Sequence, residues 1–348
     1  MRIASVGSAL PAHYYDQRTL LAAFKSLWGV RRVGAKLEKF HNSVSVGGRY
    51  LALPMDAYRG LSSFAECNDA YIRCALDLGE QALQDALRRA HLQVQDVDHL
   101  FFVSVTGLAT PSIDARLVNR MGLRSNLKRT PIFGLGCVAG AAGVARAVDY
   151  LRAYPDHVAA LLSVELCSLT LQRHDLSIKN VIASGLFGDG AAAVVLVGAN
   201  RCADGPTVVA TRSELYPHTE QAMGWEVTGT GFRVVLSADV PAIVERHIRA
   251  DVDAFLAQCG LTRTDIGSYI CHPGGPKILH AVQQALELPP DALELTWKSL
   301  NTVGNLSSAS VLLVLRDTLL GRRPAPGSYS LMMAMGPGFC SELVLLQW

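Results

Sequence analysis

Short apolar runs alternate with longer segments of helical periodicity along the chain. Runs rich in Val, Ile, Leu and Phe predict buried strands, whereas apolar residues recurring every three or four positions predict helices. The predicted strands are an opening strand at the N-terminus and residues 99–105, 158–164, 191–197, 268–271 and 329–335. The predicted helices are residues 71–90, 138–153, 242–258 and 307–320. This alternation is typical of an α/β fold.

Two features of the first half of the chain recur in the second half. Segment 92–97 follows a predicted helix and precedes a strand, and the similar segment 261–266 does the same 169 residues later. Gly136-Cys137 opens a helix rich in small residues, and Gly304-Asn305 opens another helix 168 residues later. The agreement of the two offsets predicts a duplicated α/β fold. Cys137 and Asn305 would then face a shared central site.

The duplication also predicts where the halves meet. Polar, Gly and Pro residues gather at 198–205, which is typical of a connection. We therefore predict an N-terminal half at 1–200, which carries the cysteine, and a C-terminal half at 201–348. The second half carries His272 and Asn305.

Composition narrows the function classes. Of 348 residues, 50% are hydrophobic and 18% charged, which excludes disorder, and the net charge of +2 without a long Lys/Arg run does not indicate nucleic-acid binding. No apolar run approaches the ~20 residues that span a bilayer. The eight cysteines are scattered, without a CxxC pair or a His/Cys cluster. We expect free thiols, no metal site and a reducing compartment, the cytoplasm.

Cys137 is the candidate nucleophile. It lies among small residues, in Gly134-Leu-Gly-Cys-Val-Ala-Gly, at the start of a predicted helix. The positive end of the helix dipole favours a thiolate, so we expect the pKa of Cys137 to lie below the ordinary thiol value. The alternative interpretation is an inert buried cysteine, the common state of free Cys.

His272 and Asn305 are the candidate partners of this thiol. His272 ends a predicted strand, before Pro-Gly-Gly, and could exchange protons with a thiolate. It could instead simply cap a loop. Asn305 could be a helix N-cap or an amide donor to a developing oxyanion, and its position equivalent to Cys137 favours the donor. Cys271 should point into the core.

Together, the segments around Cys137, Phe187, His272, Asn305 and Gly336-Pro-Gly338 resemble the type III polyketide synthases, the chalcone-synthase-like family. The resemblance implies a thiolase fold of αβαβα layers, a homodimer, and an acyltransferase that condenses coenzyme A thioesters. It implies no metal or redox cofactor. Substrates would be malonyl-CoA and an acyl-CoA starter, with an acyl carrier protein as another conceivable starter donor.

The resemblance also assigns roles. Cys137 resembles the acyl acceptor, His272 its base, and His272 with Asn305 the pair that holds the malonyl thioester during decarboxylation. Phe187 resembles the gate between coenzyme A tunnel and cavity. Lys36 and Lys39 match basic residues that contact coenzyme A phosphates, although a solvated helix face is the alternative, and Ser43 stands where a third basic residue is usual.

Departures from the plant members concern the product. Val234 replaces a second gating Phe, Trp225 replaces a small cavity residue, and Cys167 is typical of bacterial members in which this position borders an acyl tunnel. Naphthol-forming members also carry a second cysteine near Thr106. The resemblance therefore implies a medium- or long-chain fatty acyl starter and a pyrone or resorcinol product. A malonyl-primed, naphthol-forming synthase is the alternative. The starter, the number of extensions and the ring closure are not determined by the sequence.

Two further alternatives share the fold. A ketoacyl-carrier-protein synthase of the initiating type has the same Cys, His and Asn, but the His272-Pro-Gly-Gly segment favours a polyketide synthase. A catalytically silent acyl-binding dimer should lack one of the three residues, and all three are present.

Overall fold

The computed structural model describes the backbone of residues 1–348 and the side chains of residues 1–29 and 34–348. The strands are β1 (Arg2–Ala9), β2 (His13–Asp16), β3 (Gly48–Leu51), β4 (His99–Val103), β5 (Lys128–Ile132), β6 (Val158–Leu166), β7 (Asp189–Val197), β8 (Thr207–Leu215), β9 (Met223–Thr228), β10 (Gly231–Leu236), β11 (Ile266–Cys271), β12 (Tyr329–Gly336) and β13 (Cys340–Gln347).

The α-helices are α1 (Gln17–Trp28), α2 (Val30–Ser43), α3 (Phe64–Arg89), α4 (Ile113–Met121), α5 (Ala139–Ala153), α6 (Ile178–Leu186), α7 (Val240–Gln258), α8 (Pro276–Leu286), α9 (Glu294–Val303) and α10 (Ser308–Gly321). Short 3-10 turns occupy Met55–Gly60, Val94–Asp96, Gly136–Val138, Cys167–Thr170 and Arg263–Asp265. No helix in the described part of the chain is both long and apolar enough to cross a membrane.

The large sheet repeats one pairing pattern. Its order is β11-β12-β13-β8-β1-β7-β6-β4-β5. From β1 outwards, β1–β7 and β7–β6 are antiparallel and β6–β4 is parallel; from β8 outwards, β8–β13 and β13–β12 are antiparallel and β12–β11 is parallel. The two series meet where β1 pairs with β8. This repetition is the duplication that the sequence offsets predicted.

Side-chain alternation divides the molecule into layers. Along β7, Ala192, Val194 and Leu196 join a central core with α5 and α10, while the residues between them pack against α3. Along β13, Val344 and Leu346 face the same central core, while Leu343 and Leu345 pack against α7 and α8. Because successive residues of a strand point to opposite faces, each sheet half is buried on both sides. The result is the predicted αβαβα order.

Local sequence accounts for most of the element boundaries. The predicted strands and helices are all present, with small differences at their ends. The exception is α3, which begins at Phe64 rather than near 71. Ser63 and Glu66 form a reciprocal capping box that starts this helix about two turns early. The predicted division of the chain at residue 200 falls in the connection between β7 and β8 and stays a prediction.

Candidate active site

Cys137 and Asn305 occupy equivalent turns before the two central helices. Cys137 lies in the 3-10 turn that leads into α5, and Asn305 precedes α10. The preceding glycines, Gly136 and Gly304, have φ of 56° and 76°, which only glycine adopts readily. A Cβ on Gly136 would lie 2.6 Å from Pro337, and a Cβ on Gly304 would lie 2.7 Å from the Leu186 carbonyl. The backbone therefore requires glycine immediately before both Cys137 and Asn305.

Cys137, His272 and Asn305 line one cavity of about 70 Å³, which we call the inner cavity. His272 directly follows strand β11. Its main-chain N–H donates to the carbonyl of Met333, on the neighbouring strand β12, at 2.9 Å. Neither ring nitrogen of His272 has a partner among the described protein groups. A buried imidazole without partners is available to a substrate. The structure thus brings the three sequence-predicted residues together.

Two hydrogen bonds fix the Asn305 side chain. Its Oδ1 accepts from the Ser307 N–H at 2.8 Å, and its Nδ2 donates to the Gly274 carbonyl at 3.4 Å. The main chain of Asn305 forms a bridge to the turn after α6, because its N–H donates to the Leu186 carbonyl and its carbonyl accepts from Gly188 N–H. The amide group is therefore oriented, with its donor end towards the loop that follows His272.

Ser307 is a site residue that the sequence analysis did not single out. The Cys137 thiol donates to Ser307 Oγ across 3.6 Å. Ser307 has φ of 46° and ψ of −125°, a strained conformation for a residue other than glycine. The Asn305 side chain stabilises it. The only sequence signal is that Ser307 lies two residues after Asn305, since the strained φ cannot be read from the residue type.

Burial sets the protonation states of the thiol and the imidazole. It raises the pKa of Cys137 to about 12, an effect that the Ser307 hydrogen bond opposes. Burial lowers the pKa of His272 to about 3. Burial therefore opposes the low Cys137 pKa expected from the helix dipole and His272, and that expectation stays a prediction for the Cys137–His272 pair. Charges can form in this cavity only together, when the thiol proton passes to the imidazole.

Glu165 is a buried carboxyl group that holds two segments beside the site together. It is fully buried, accepts from the Val105 N–H at 3.1 Å and from Thr106 Oγ1 at 2.9 Å, and accepts from Ser308 Oγ. It therefore ties the loop after β4 to the start of α10. Burial raises the pKa of Glu165 to about 7. Thr106 belongs to this network. Among the described residues it lines neither the inner cavity nor its larger neighbour but a small pocket of about 10 Å³, and its place beside an acyl channel stays a prediction.

A second cavity of about 620 Å³, the outer cavity, adjoins the first. Phe187, Trp225 and Val234 line both cavities and form the boundary between them. Val234 on β10 is the cross-strand partner of Trp225 on β9. The Trp225 indole therefore lies beside Val234, the residue that stands in place of the second gating Phe. Cys167 lines the outer cavity, and its role beside an acyl channel stays a prediction.

The predicted coenzyme A contacts lie elsewhere. Lys36 and Lys39 are exposed on α2 and, among the residues described, line neither cavity. Their contact with phosphates stays a prediction. Cys271 is buried and packs in the core around α7 and α8, as expected. Among the described residues, no group of three His, Cys, Asp or Glu side chains is arranged to hold a metal ion.

Comparison with known proteins supplies two family matches. The model of the chalcone and stilbene synthase N-terminal domain matches residues 2–201, and the model of the C-terminal domain matches residues 207–348. A 1,3,6,8-tetrahydroxynaphthalene synthase of Streptomyces peucetius subsp. caesius is 52% identical over 352 residues, which cover 99% of this chain and 93% of the relative. A 3,5-dihydroxyphenylacetyl-CoA synthase of Streptomyces toyocaensis is 33% identical and covers 100% and 90%.

A solved structure has the same architecture. The crystal structure of 1,3,6,8-tetrahydroxynaphthalene synthase from Streptomyces coelicolor A3(2), a bacterial type III polyketide synthase, superposes with a TM-score of 0.93. The two chains are 31% identical, and the superposition covers 100% of this chain and 99% of the other.

Proposed function

The chain belongs to the chalcone and stilbene synthase family of type III polyketide synthases, and from that membership we propose that it uses malonyl-CoA as both starter and extender to build a polyhydroxylated naphthalene. It is a condensing acyltransferase. The observation that carries the product class is the 52% identity, over nearly the whole chain, to a tetrahydroxynaphthalene synthase. The fatty acyl starter expected from the sequence has no such support among these relatives.

The carbon balance favours a single substrate. A tetrahydroxynaphthalene has ten carbons and no alkyl chain. Five malonyl groups that each lose one CO2 supply those ten carbons, and the reaction also releases five coenzyme A thiols and one water. Such a product leaves no place for a fatty acyl starter.

Loading begins at Cys137. His272 takes the thiol proton as Sγ attacks the thioester carbonyl, the C–S bond to coenzyme A breaks, and the imidazolium gives the proton to the departing coenzyme A thiolate, which leaves His272 neutral. The thiolate and the imidazolium form together, so no isolated charge is buried. Ser307 lies within hydrogen-bond distance of Sγ and can then donate to the thiolate. The acyl group is held as a thioester beside Phe187.

Extension needs a carbanion and a place for its charge. The thioester carbonyl of a second malonyl-CoA accepts hydrogen bonds from Asn305 Nδ2 and from an N–H of neutral His272. Breaking the C–C bond to the carboxylate releases CO2 and moves the electron pair onto that carbonyl as an enolate, which preorganised donors stabilise in a desolvated cavity. The enolate carbon attacks the acyl carbonyl on Cys137, and the acyl–Sγ bond breaks with Cys137 leaving as the thiolate. That thiolate then attacks the thioester of the extended chain, which returns to Cys137 as coenzyme A leaves.

We also propose a homodimer, the assembly that family membership suggests. One structural feature supports this proposal: β5 is an edge strand of the large sheet, and its unpaired backbone groups can pair with a strand of a second subunit. Phe133, directly after it, is 53% exposed.

Incubation with malonyl-CoA alone tests the proposed function. A naphthalene product without any acyl-CoA or carrier protein supports it and excludes the initiating ketoacyl synthase, which takes its extender from carrier protein. Product only after addition of a fatty acyl-CoA would contradict the malonyl starter and restore the acyl-primed alternative. No covalent acyl-enzyme with any thioester would indicate a silent binding protein.

A further inference from the structure

The outer cavity combines an apolar wall with unpaired positive charge. Arg49, Arg59 and Arg173 line it, and Asp56 is the single acidic residue among its described lining. None of the three guanidinium groups belongs to an ion pair with a described side chain. Apolar surroundings strengthen electrostatic attraction, so this cavity favours an anion.

Arg49 is the buried member of the set. It is 2% exposed, and its terminal nitrogens donate to the carbonyls of Ser184 and Gly185 and to Gln17 Oε1. Its Nε is buried without a partner among the described groups. Burial lowers the pKa of Arg49 to about 10, so the group remains charged at neutral pH. Buried Asp189 opposes this lowering of the pKa without forming an ion pair with Arg49, and the Nε donor still has no partner among the described groups.

Arg59 and Arg173 form the solvent side of the cavity. Arg173 Nη1 donates to the Arg59 carbonyl at 3.5 Å, which makes the two residues neighbours. Arg59 is exposed and Arg173 half-buried. Phe187, in contrast, borders the inner cavity with Cys137. The outer cavity therefore leads from the gate to a pair of arginines.

A malonyl-primed chain brings its own anion into this space. The starter is attached to Cys137 through its thioester carbonyl, so its carboxylate is at the opposite end. Each extension inserts two carbons at the Cys137 end and moves that carboxylate farther away. We propose that Arg49, Arg59 and Arg173 bind the free carboxylate at the far end of the growing chain. This inference rests on the proposed malonyl starter.

Binding the carboxylate also protects it. A 3-oxo acid decarboxylates when the C–C electron pair moves onto the neighbouring ketone, so that R–CO–CH2–CO2⁻ and a proton give R–CO–CH3 and CO2. A guanidinium group paired with the carboxylate stabilises the reactant rather than the enolate. The arginines therefore delay this loss until the chain leaves the cavity.

The test compares two starters of equal length. Decanedioyl-CoA is one carbon shorter than the full eleven-carbon chain that still carries the starter carboxylate. Its terminal carboxylate cannot decarboxylate in this way, whereas decanoyl-CoA ends in a methyl group. The rate at which each acylates Cys137 is followed by intact-protein mass spectrometry in wild type and in the double variant Arg59→Gln/Arg173→Gln. Arg49 is left unchanged because it also binds the end of α6. Arg246→Gln, an exposed change on α7 away from the cavity, controls for the loss of charge.

The ratio of the two loading rates is the readout, because general damage lowers both. Loss of hydrogen bonds to a charged group should reduce the decanedioyl-to-decanoyl ratio by about tenfold in the double variant, and the Arg246→Gln ratio should equal that of wild type. A double-variant ratio within about twofold of wild type overturns the proposal. The malonyl-CoA product assay is independent: a wild type that needs an acyl starter refutes the malonyl starter even if the ratio falls as expected.

Discussion

The side-chain carbonyl of Asn305 accepts a hydrogen bond from the Ser307 N–H at 2.8 Å, and Ser307 Oγ in turn accepts from the Cys137 thiol at 3.6 Å. Asn305 therefore orients its own amide and holds the strained serine against the nucleophile. A change at Asn305 can separate these two effects.

We predict that Asn305→Asp loads an acyl group on Cys137 but hardly decarboxylates malonyl-CoA. The aspartate keeps an acceptor for the Ser307 N–H and loses the donor to the thioester carbonyl. Removal of one oxyanion donor should reduce decarboxylation by about 10²- to 10³-fold. Release of labelled CO2 and acyl loading are measured side by side. Equal losses in both steps would contradict a donor role specific to decarboxylation.

We predict that Cys137→Ala abolishes the acyl-enzyme while the protein stays folded. The nucleophilic sulfur is removed from the inner cavity, and the small side chain fits the same turn. Cys271→Ala is the matched control, because this second buried cysteine packs in the core and should retain acyl loading. Mass spectrometry measures the adduct, and circular dichroism the fold. An adduct of undiminished yield in Cys137→Ala would show that another residue is the nucleophile.

We predict that His272→Ala slows alkylation of Cys137 by iodoacetamide by at least about tenfold at pH 7. Without the imidazole, the thiol has no neighbouring base, and burial holds its pKa at about 12. The thiolate fraction, and with it the rate, should rise about tenfold per pH unit up to pH ~9 without levelling off. The wild-type rate should level off at lower pH. Superimposable profiles would mean that His272 does not receive the proton.

We predict that Cys167→Phe shortens the polyketide. The larger ring fills part of the outer cavity next to Phe187, while Cys137 is untouched. The ratio of naphthalene to shorter products from malonyl-CoA should fall by about tenfold, which corresponds to about 1.4 kcal/mol. Cys167→Ala, which adds no volume, is the control and should keep the wild-type ratio. Liquid chromatography with mass spectrometry measures the products of both variants. An unchanged product profile in Cys167→Phe would contradict growth of the chain into the outer cavity.

We predict that Gly140→Ala destabilises the fold by about 1–3 kcal/mol. A Cβ at this position of α5 would lie 2.3 Å from the Ser308 carbonyl of α10, so the two central helices would have to move apart. Gly321→Ala, at the end of α10, is the control, since nothing lies within 4 Å of its added Cβ. Urea unfolding measures the free energy of unfolding of both variants. Equal values would show that α5 and α10 can move apart without loss of stability.

The sequence by itself determined the layered fold and the three central residues. Hydrophobic periodicity is local, so the strands and helices could be predicted from it, and the 168-residue offset between two similar helix starts related Cys137 to Asn305. The functional importance of Gly136 and Gly304 could also be predicted from the sequence, because their effect is local. A backbone with positive φ restricts the residue type at that one position.

Tertiary structure alone decided the properties that depend on distant neighbours. The contact between Cys137 and Ser307 joins residues 170 positions apart, and burial by several elements, rather than the local helix start, sets the pKa of the thiol. Thr106 was expected beside a channel but is bound to Glu165, and the arginines of the outer cavity come from separate segments. Desolvation and charge pairing are sums over everything within a few ångströms, and only packing determines which residues those are.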